Sequence, residues 1–183
     1  WQWLTVPVRY RFPEKINEVK INNTIQWSKK HLQALKTNYS RAPYFKAHIS
    51  IFEDAFAEEW ELISELNIHL IERLKDALQM QEKTTIISSE LTLREEPTDR
   101  LIDICKTLGA DTYLAGQGAA GYMDVARFEK NGLKVITQDV KHPVYPQLFG
   151  DFQSHLSIVD LLFNCGPDSM NVIREANAES AKV

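Results

Sequence analysis

DTYLAGQGAAGYMDVARFEKNGLKVITQD, residues 111–139, sets two short apolar runs around a glycine-rich turn and a helical segment. Thr, Tyr and Leu suit a pleated surface, so DTYLA (111–115) reads as a strand. Residues 119–130 read as a helix that stops at Asn131-Gly132, a pair that accepts the left-handed backbone ending many helices. LKVITQ (133–138) is a second strand. Two strands joined through a helix pair in parallel, with a right-handed crossover.

Upstream, TTIIS (84–88) is β-branched and predicts another strand. Pro97 opens a helix carrying Leu101, Ile102, Ile104, Cys105 and Leu108, and Gly109 closes it. The C-terminal half therefore predicts a β-α-β-α-β unit with a short parallel sheet. Residues 24–80 read as helical. Ile25, Ser28, Leu32, Leu35 and Tyr39 share one face, Ala42-Pro43 starts a second helix reaching about 56, and a third is expected over 58–79 with Glu58 and Glu59 at its positive end. In that third helix Ile63, Leu66, Leu70, Leu74, Ala77 and Leu78 form the inward stripe, with Glu65, His69, Glu72 and Asp76 opposite. WLTVPV (3–8) and INEVKIN (16–22) predict one or two N-terminal strands around Pro13. Beyond Asp139, HPVYPQLFGDF (142–152) is too rich in prolines and aromatics for one regular element. Ser157 with Asp160 marks a helix start, and Gly166-Pro167 opens a last helix to about 178. The expectation is a single α/β domain over 1–183, with a helical part at about 24–80 and a sheet part at about 84–178.

Composition narrows function by exclusion. Lys+Arg 21 against Asp+Glu 25 gives a net charge of −4, so no broad basic surface exists for a nucleic acid backbone. No apolar run approaches the ~20 residues of a membrane span. Cys105 and Cys165 form no CxxC pair, and so few cysteines point to reduced thiols and a cytoplasmic location. GxxxxGK[ST], HExxH and GxSxG patterns are lacking, which sets aside P-loop, zincin and α/β-hydrolase chemistry.

Ligands of parallel sheets sit beyond the carboxyl ends of the strands, which directs attention to three loops. The first holds Ser88 and Ser89. The second is Gly116-Gln117-Gly118-Ala119-Ala120-Gly121, a literal GxGxxG, with Asp139 ending the next strand. Glycines there let the backbone approach a phosphate and the acid holds a ribose, although a tight turn against a helix would use the same residues. The third loop gathers Asp139, His142, Tyr145 and Gln147. An imidazole ordinarily exchanges protons near neutrality, so His142 is the natural general base, oriented by Asp139. The phenol of Tyr145 and the amide of Gln147 would bind the polar groups of a substrate, or the loop would simply cover the sheet edge. His31 reads as a helix residue with a hydrogen bond, His69 as part of a solvated charged face, and Lys29, Lys30 and Lys36 as a modest basic patch. Cys165, placed near a helix start that would lower its pKa, could pair with His155 as a nucleophile. No metal site is expected.

WSKKHLQALKTNYSRAPYF (27–45), NIHLIERLKDAL (67–78), SSEL (88–91), RLIDICKTLGADTYLAG (100–116) and HPVYPQLFGDFQSHLSIVDLLFNCGPDS (142–169) together resemble the WbqC-like protein family across essentially the whole chain. The resemblance implies a place beside enzymes of bacterial O-antigen and other surface polysaccharides. It also implies aminoacyl transfer of the glycine type to an amino sugar or nucleotide-linked sugar. The expected partner is that small molecule; no cofactor is specified, and a homodimer stays open. A non-catalytic nucleotide-sugar binding module and an NAD-dependent oxidoreductase are the alternatives. Family members usually begin with a segment rich in Pro, Trp, Gly and Tyr. The start at Trp1-Gln2-Trp3, without Met, carries the expectation that this segment is missing.

Overall fold

The computed structural model describes residues 1–121 and 123–178. Tyr122, inside the predicted helix 119–130, lies outside the described residues, as do 179–183. The described residues pack as two units: residues 1–83 with 142–178, and residues 84–141 between them in sequence. Each has its own core.

The larger unit opens with an antiparallel pair, β1 (Val8–Arg9) and β2 (Lys20–Ile21), in which Val8 faces Ile21 and Arg9 faces Lys20. The ladder is shorter than the predicted strands 3–8 and 16–22. Pro7 supplies no N–H on one side, and residues Ile16–Glu18 wind into a 3₁₀ turn on the other. Three helices follow, as the periodicity predicts: α1 (Trp27–Tyr39), α2 (Phe45–Ala57) and α3 (Ile63–Ala77). The third begins at Ile63 rather than 58. Residues 58–62 form a connection in which the Trp60 indole donates to the Ala55 carbonyl at 2.6 Å and Asn23 donates to the Trp60 carbonyl at 2.8 Å. Glu65, not Glu58 or Glu59, occupies the first turn and accepts from the Leu62 N–H.

The chain returns to this unit for α6 (Ile158–Cys165), capped by the Ser157 hydroxyl, and α7 (Ser169–Ala176). Phe163 on α6 is fully buried, with its ring 5.2 Å from those of Tyr39 and Phe45 and 5.8 Å from Phe52. Leu35, Ile49 and Leu162 complete that core; a smaller one holds Ile21, Trp27 and Leu66. Fully burying a phenylalanine side chain stabilises by about 1.5–3 kcal/mol, so α6 is a structural member of the helical unit. A cavity left at such a position is costly for the same reason.

Two histidines of this unit sit in dry places. His31, 7% exposed, donates through Nε2 to the Thr5 carbonyl at 3.2 Å, which ties the N-terminal segment to α1. The His48 Nε2 is buried and unpartnered. Burial lowers both pKa values, for His31 against the raising influence of its Thr5 bond. The unfolded chain therefore takes up these protons first as pH falls. Stability is fully present above the ordinary histidine value and is lost below it, as pH falls through the lowered folded values. Thermal denaturation should give a falling Tm between pH 7 and 5, a window in which ordinary carboxylates stay ionised. The variant His48→Leu should flatten part of that slope.

The smaller unit holds α4 (Pro97–Thr107), β3 (Thr112–Ala115), α5 (Val125–Lys130) and β4 (Lys134–Thr137). Glu96 caps α4 by accepting from the Asp99 N–H, and Gly109 takes the left-handed backbone (φ +65°) that ends it. β3 and β4 pair in parallel, Thr112 with Lys134 through Ala115 with Thr137, over a core of Ile102, Cys105, Phe128 and Leu133. The fold is thus α/β, with a short parallel sheet in the C-terminal half and an antiparallel pair at the start. One element differs from expectation. Residues 84–87 form no ladder and lead into a 3₁₀ turn, Ser88–Glu90, so among its described residues the unit is α-β-α-β with two strands. β-branched residues favour a strand only where a partner edge receives them, and Ile86 is half exposed instead.

Candidate functional site

In the smaller unit Ser88 and Ser89 lie exposed in the 3₁₀ turn before α4. The glycine stretch forms a 3₁₀ turn, Gln117–Gly121, rather than running straight into a helix. The short α5 starts only at Val125, and its first turn is capped by Asp124, which accepts from the Arg127 N–H at 3.2 Å. The Asp124 N–H in turn donates to the Thr98 hydroxyl. A dinucleotide fingerprint needs the helix amides turned to a pyrophosphate, and a protein carboxylate already occupies that place here. Gly116, Gly118 and Gly121 nevertheless border open space: a Cβ on any of them would meet no atom within 4 Å, and none has a positive φ. The Gln117 amide donates to Asp139 at 3.4 Å, so these two predicted residues do meet.

His142, Tyr145 and Gln147 belong to the larger unit. The backbone N–H of His155 donates to His142 Nε2 at 3.0 Å, which requires that nitrogen to be unprotonated. The proton therefore sits on Nδ1, which faces the Pro143 carbonyl at 2.9 Å. A neutral imidazole engaged on both sides is a clamp, and its lone pair is turned to an amide.

His155, the residue so clamped, is exposed and adopts φ +62°. That backbone is uncommon for a residue with a side chain and costs about 1–2 kcal/mol. Such strain persists only where surrounding bonds over-determine it. Its ring lies 5.0 Å from that of His142, and its Nδ1 is 2.8 Å from the Ser154 hydroxyl. A hydroxyl can donate or accept, so Ser154 suits either tautomer, and Nε2 takes no hydrogen bond among the described residues.

Behind this pair lies a buried polar network. Asp160 on α6 is only 4% exposed and accepts from the Gln147 amide at 2.8 Å. Burial, together with hydrogen bonding to Asp160, pushes the phenols of Tyr39 and Tyr145 well above their ordinary pKa, so both stay neutral donors. Gln147 also donates to the Gln153 carbonyl and accepts from the Gln153 N–H, both near 3 Å. Tyr145 packs edge-on against Phe152, their centroids 5.3 Å apart. Tyr145 and Gln147 thus staple the segment 145–153 to α6, and their polar atoms are spent on the protein.

Cys165 ends α6 and leads into a 3₁₀ turn, Gly166–Asp168. Burial, then Asp168 and Asp160, raise its pKa, the reverse of the sequence expectation, and this disfavours a thiolate nucleophile. His69 also departs from expectation: it rests against Trp60, ring centroids 5.0 Å apart, with Nε2 buried and unpartnered. Among the described residues no three His, Cys, Asp or Glu side chains gather as a metal ion requires. No described helix is long and apolar enough to cross a membrane. Ser154 and the clamp on His155 were missed in the sequence, because a positive φ at a non-glycine residue leaves no compositional mark.

The sequence model of the WbqC-like protein family matches residues 1–172. A Mycobacterium tuberculosis protein named "Uncharacterized protein Rv1507c" is 33% identical over 177 residues, covering 94% of this chain and 76% of that protein. No solved structure matches the chain.

Proposed function

We propose a function from one premise: the chain belongs to the WbqC-like protein family. It is a transferase that moves an aminoacyl group of the glycine type onto the amine of an amino sugar or nucleotide-linked sugar during bacterial surface-polysaccharide synthesis. The sugar nitrogen attacks the carbonyl carbon of an activated acyl donor. A C–N bond forms, the bond to the donor's leaving group breaks, and the proton shed by nitrogen passes to His155. The observation that carries this reading is the exposed imidazole of His155, held on strained backbone by the neutral His142 ring. A fixed, solvent-facing imidazole supplies general base catalysis, worth about 10²–10⁴ in rate. His142 acts as a positioning residue. Incubating the protein with glycyl donors and nucleotide-linked amino sugars, and following the sugar amide by mass spectrometry, tests the reading. Failure to form amide with any donor, while the sugar nucleotide still binds, would favour the binding module instead.

The glycine turn of the smaller unit is the proposed phosphate cradle, with Asp139, Gln117, Ser88 and Ser89 offering hydrogen bonds to the same ligand class. Because the space over Gly118 is open and its φ ordinary, Gly118→Val should leave Tm within about 2 °C, the scale of a surface substitution. Nucleotide-sugar affinity measured by calorimetry should fall about tenfold or more, since the added side chain fills the space a phosphate would take. Unchanged affinity removes the cradle.

A further inference from the structure

A second surface of the larger unit has the makings of a ligand site apart from His155. Along the outward face of α1 runs a shallow groove of about 640 Å³, lined among others by Gln2, Gln26, Lys29, Lys30, Gln33 and Asn38. The bond from His31 to the Thr5 carbonyl fixes the N-terminal segment on α1, and Gln2 closes one side of the groove.

Charge distribution on α1 is uneven. Lys36, one to two turns on, pairs with Glu53 at 2.7 Å. Lys29 and Lys30 make no ion pair among the described residues, although the chain carries more acids than bases. Four of the remaining side chains are primary amides. The side chains of Gln2 and Gln26 make no hydrogen bond among the described residues, and Gln26 precedes the first residue of α1 without capping it. Gln33 and Asn38 each spend an amide N–H within α1, on the Thr37 hydroxyl and the Ala34 carbonyl, which leaves their side-chain carbonyls as acceptors.

An amide offers both donors and an acceptor, while an ammonium offers donors alone. A bare inorganic anion would use the lysines and meet repulsion from the amide carbonyls. A neutral sugar would use the amides and leave two adjacent ammonium groups uncompensated. A sugar bearing a carboxylate or phosphate satisfies both sets, its hydroxyls pairing with amides and its anion with Lys29 and Lys30. We propose that the α1 groove binds an acidic saccharide, a sugar carrying a carboxylate or phosphate group. This site is independent of the transfer chemistry at His155, and its failure would leave that reading standing.

Calorimetric titration of the whole protein with four probes tests it: trigalacturonate, N-acetylglucosamine 1-phosphate, maltotriose and inorganic phosphate. At least one acidic sugar should bind at least tenfold more tightly than maltotriose and than phosphate. Which of the two does so tells a carboxylate from a phosphate ligand. The double variant Lys29→Gln/Lys30→Gln should weaken that binding about tenfold or more, as should Gln33→Ala to a smaller degree. His155→Ala should leave it unchanged. Equal binding of phosphate or maltotriose, no binding of either acidic sugar, or binding indifferent to the lysine variant in a protein of unaltered Tm would overturn the assignment.

Discussion

Replacing His155 with alanine is expected to lower acyl transfer about 10²–10⁴-fold while leaving Tm unchanged or slightly lowered. The imidazole is exposed, so its removal opens no cavity, and its bond to Ser154 is a surface contact worth little to folding. An alanine at φ +62° keeps the backbone penalty the histidine already bears. His142→Ala should behave differently. It deletes the acceptor of the His155 N–H and a ring packed 6.0 Å from Phe152, so Tm and activity should fall together. Glycine at 155 provides the control for strain: it relieves the penalty and should be the most stable of these variants, yet as inactive as alanine. Steady-state rates beside melting curves for the three proteins check the scheme. An active His155→Ala enzyme would remove the residue from the reaction.

The largest loss of stability should come from Gly166→Ala. Gly166 has φ +52°, and a Cβ placed there would run into the Tyr44 ring, overlapping Cγ and Cδ1. Left-handed backbone costs an alanine about 1–2 kcal/mol, and forcing extra volume into a packed site costs typically 1–3 kcal/mol more. The atoms met are the inner part of the ring, so relief requires the whole Tyr44 side chain to rotate away from a backbone whose N–H is bonded to the Phe163 carbonyl at 3.0 Å. A destabilisation of about 3 kcal/mol corresponds to a Tm lower by about 6–12 °C for a chain of this length. Gly150→Ala serves as comparison: it shares a positive φ, but open space surrounds it, so it should show the backbone penalty alone.

Local sequence patterns found the helices because their signals lie on the helices themselves. Pro97 with Gly109 bracketed α4, Ser157 capped α6, and the apolar stripe from Leu66 to Leu78 faces the core as periodicity requires. Strands fared less evenly. β3 and β4 were legible because each supplies the other's partner edge, whereas 84–88 has equal propensity and no edge to join. The candidate site was half legible for a similar reason. Residue types marked the proline-rich segment as chemically dense, but which of its polar atoms are spent internally depends on Asp160, a residue more than a dozen positions away. Nothing local says that Gln147 faces a buried carboxylate, or that His142 is occupied and His155 is presented.

That Phe163 and Leu162 reach the helical core only after residues 84–141 have intervened has a bearing on biosynthesis. On the ribosome, α4 through β4 are all emitted before α6, so the smaller unit has its whole core in hand while the larger one still lacks its central aromatic ring. Until then Leu35 and Tyr39 of α1 and the phenylalanines of α2 are nascent apolar surface, the kind chaperones recognise. The order of synthesis therefore makes α6, translated after the whole smaller unit, the element that seals the earlier-made α1 and α2.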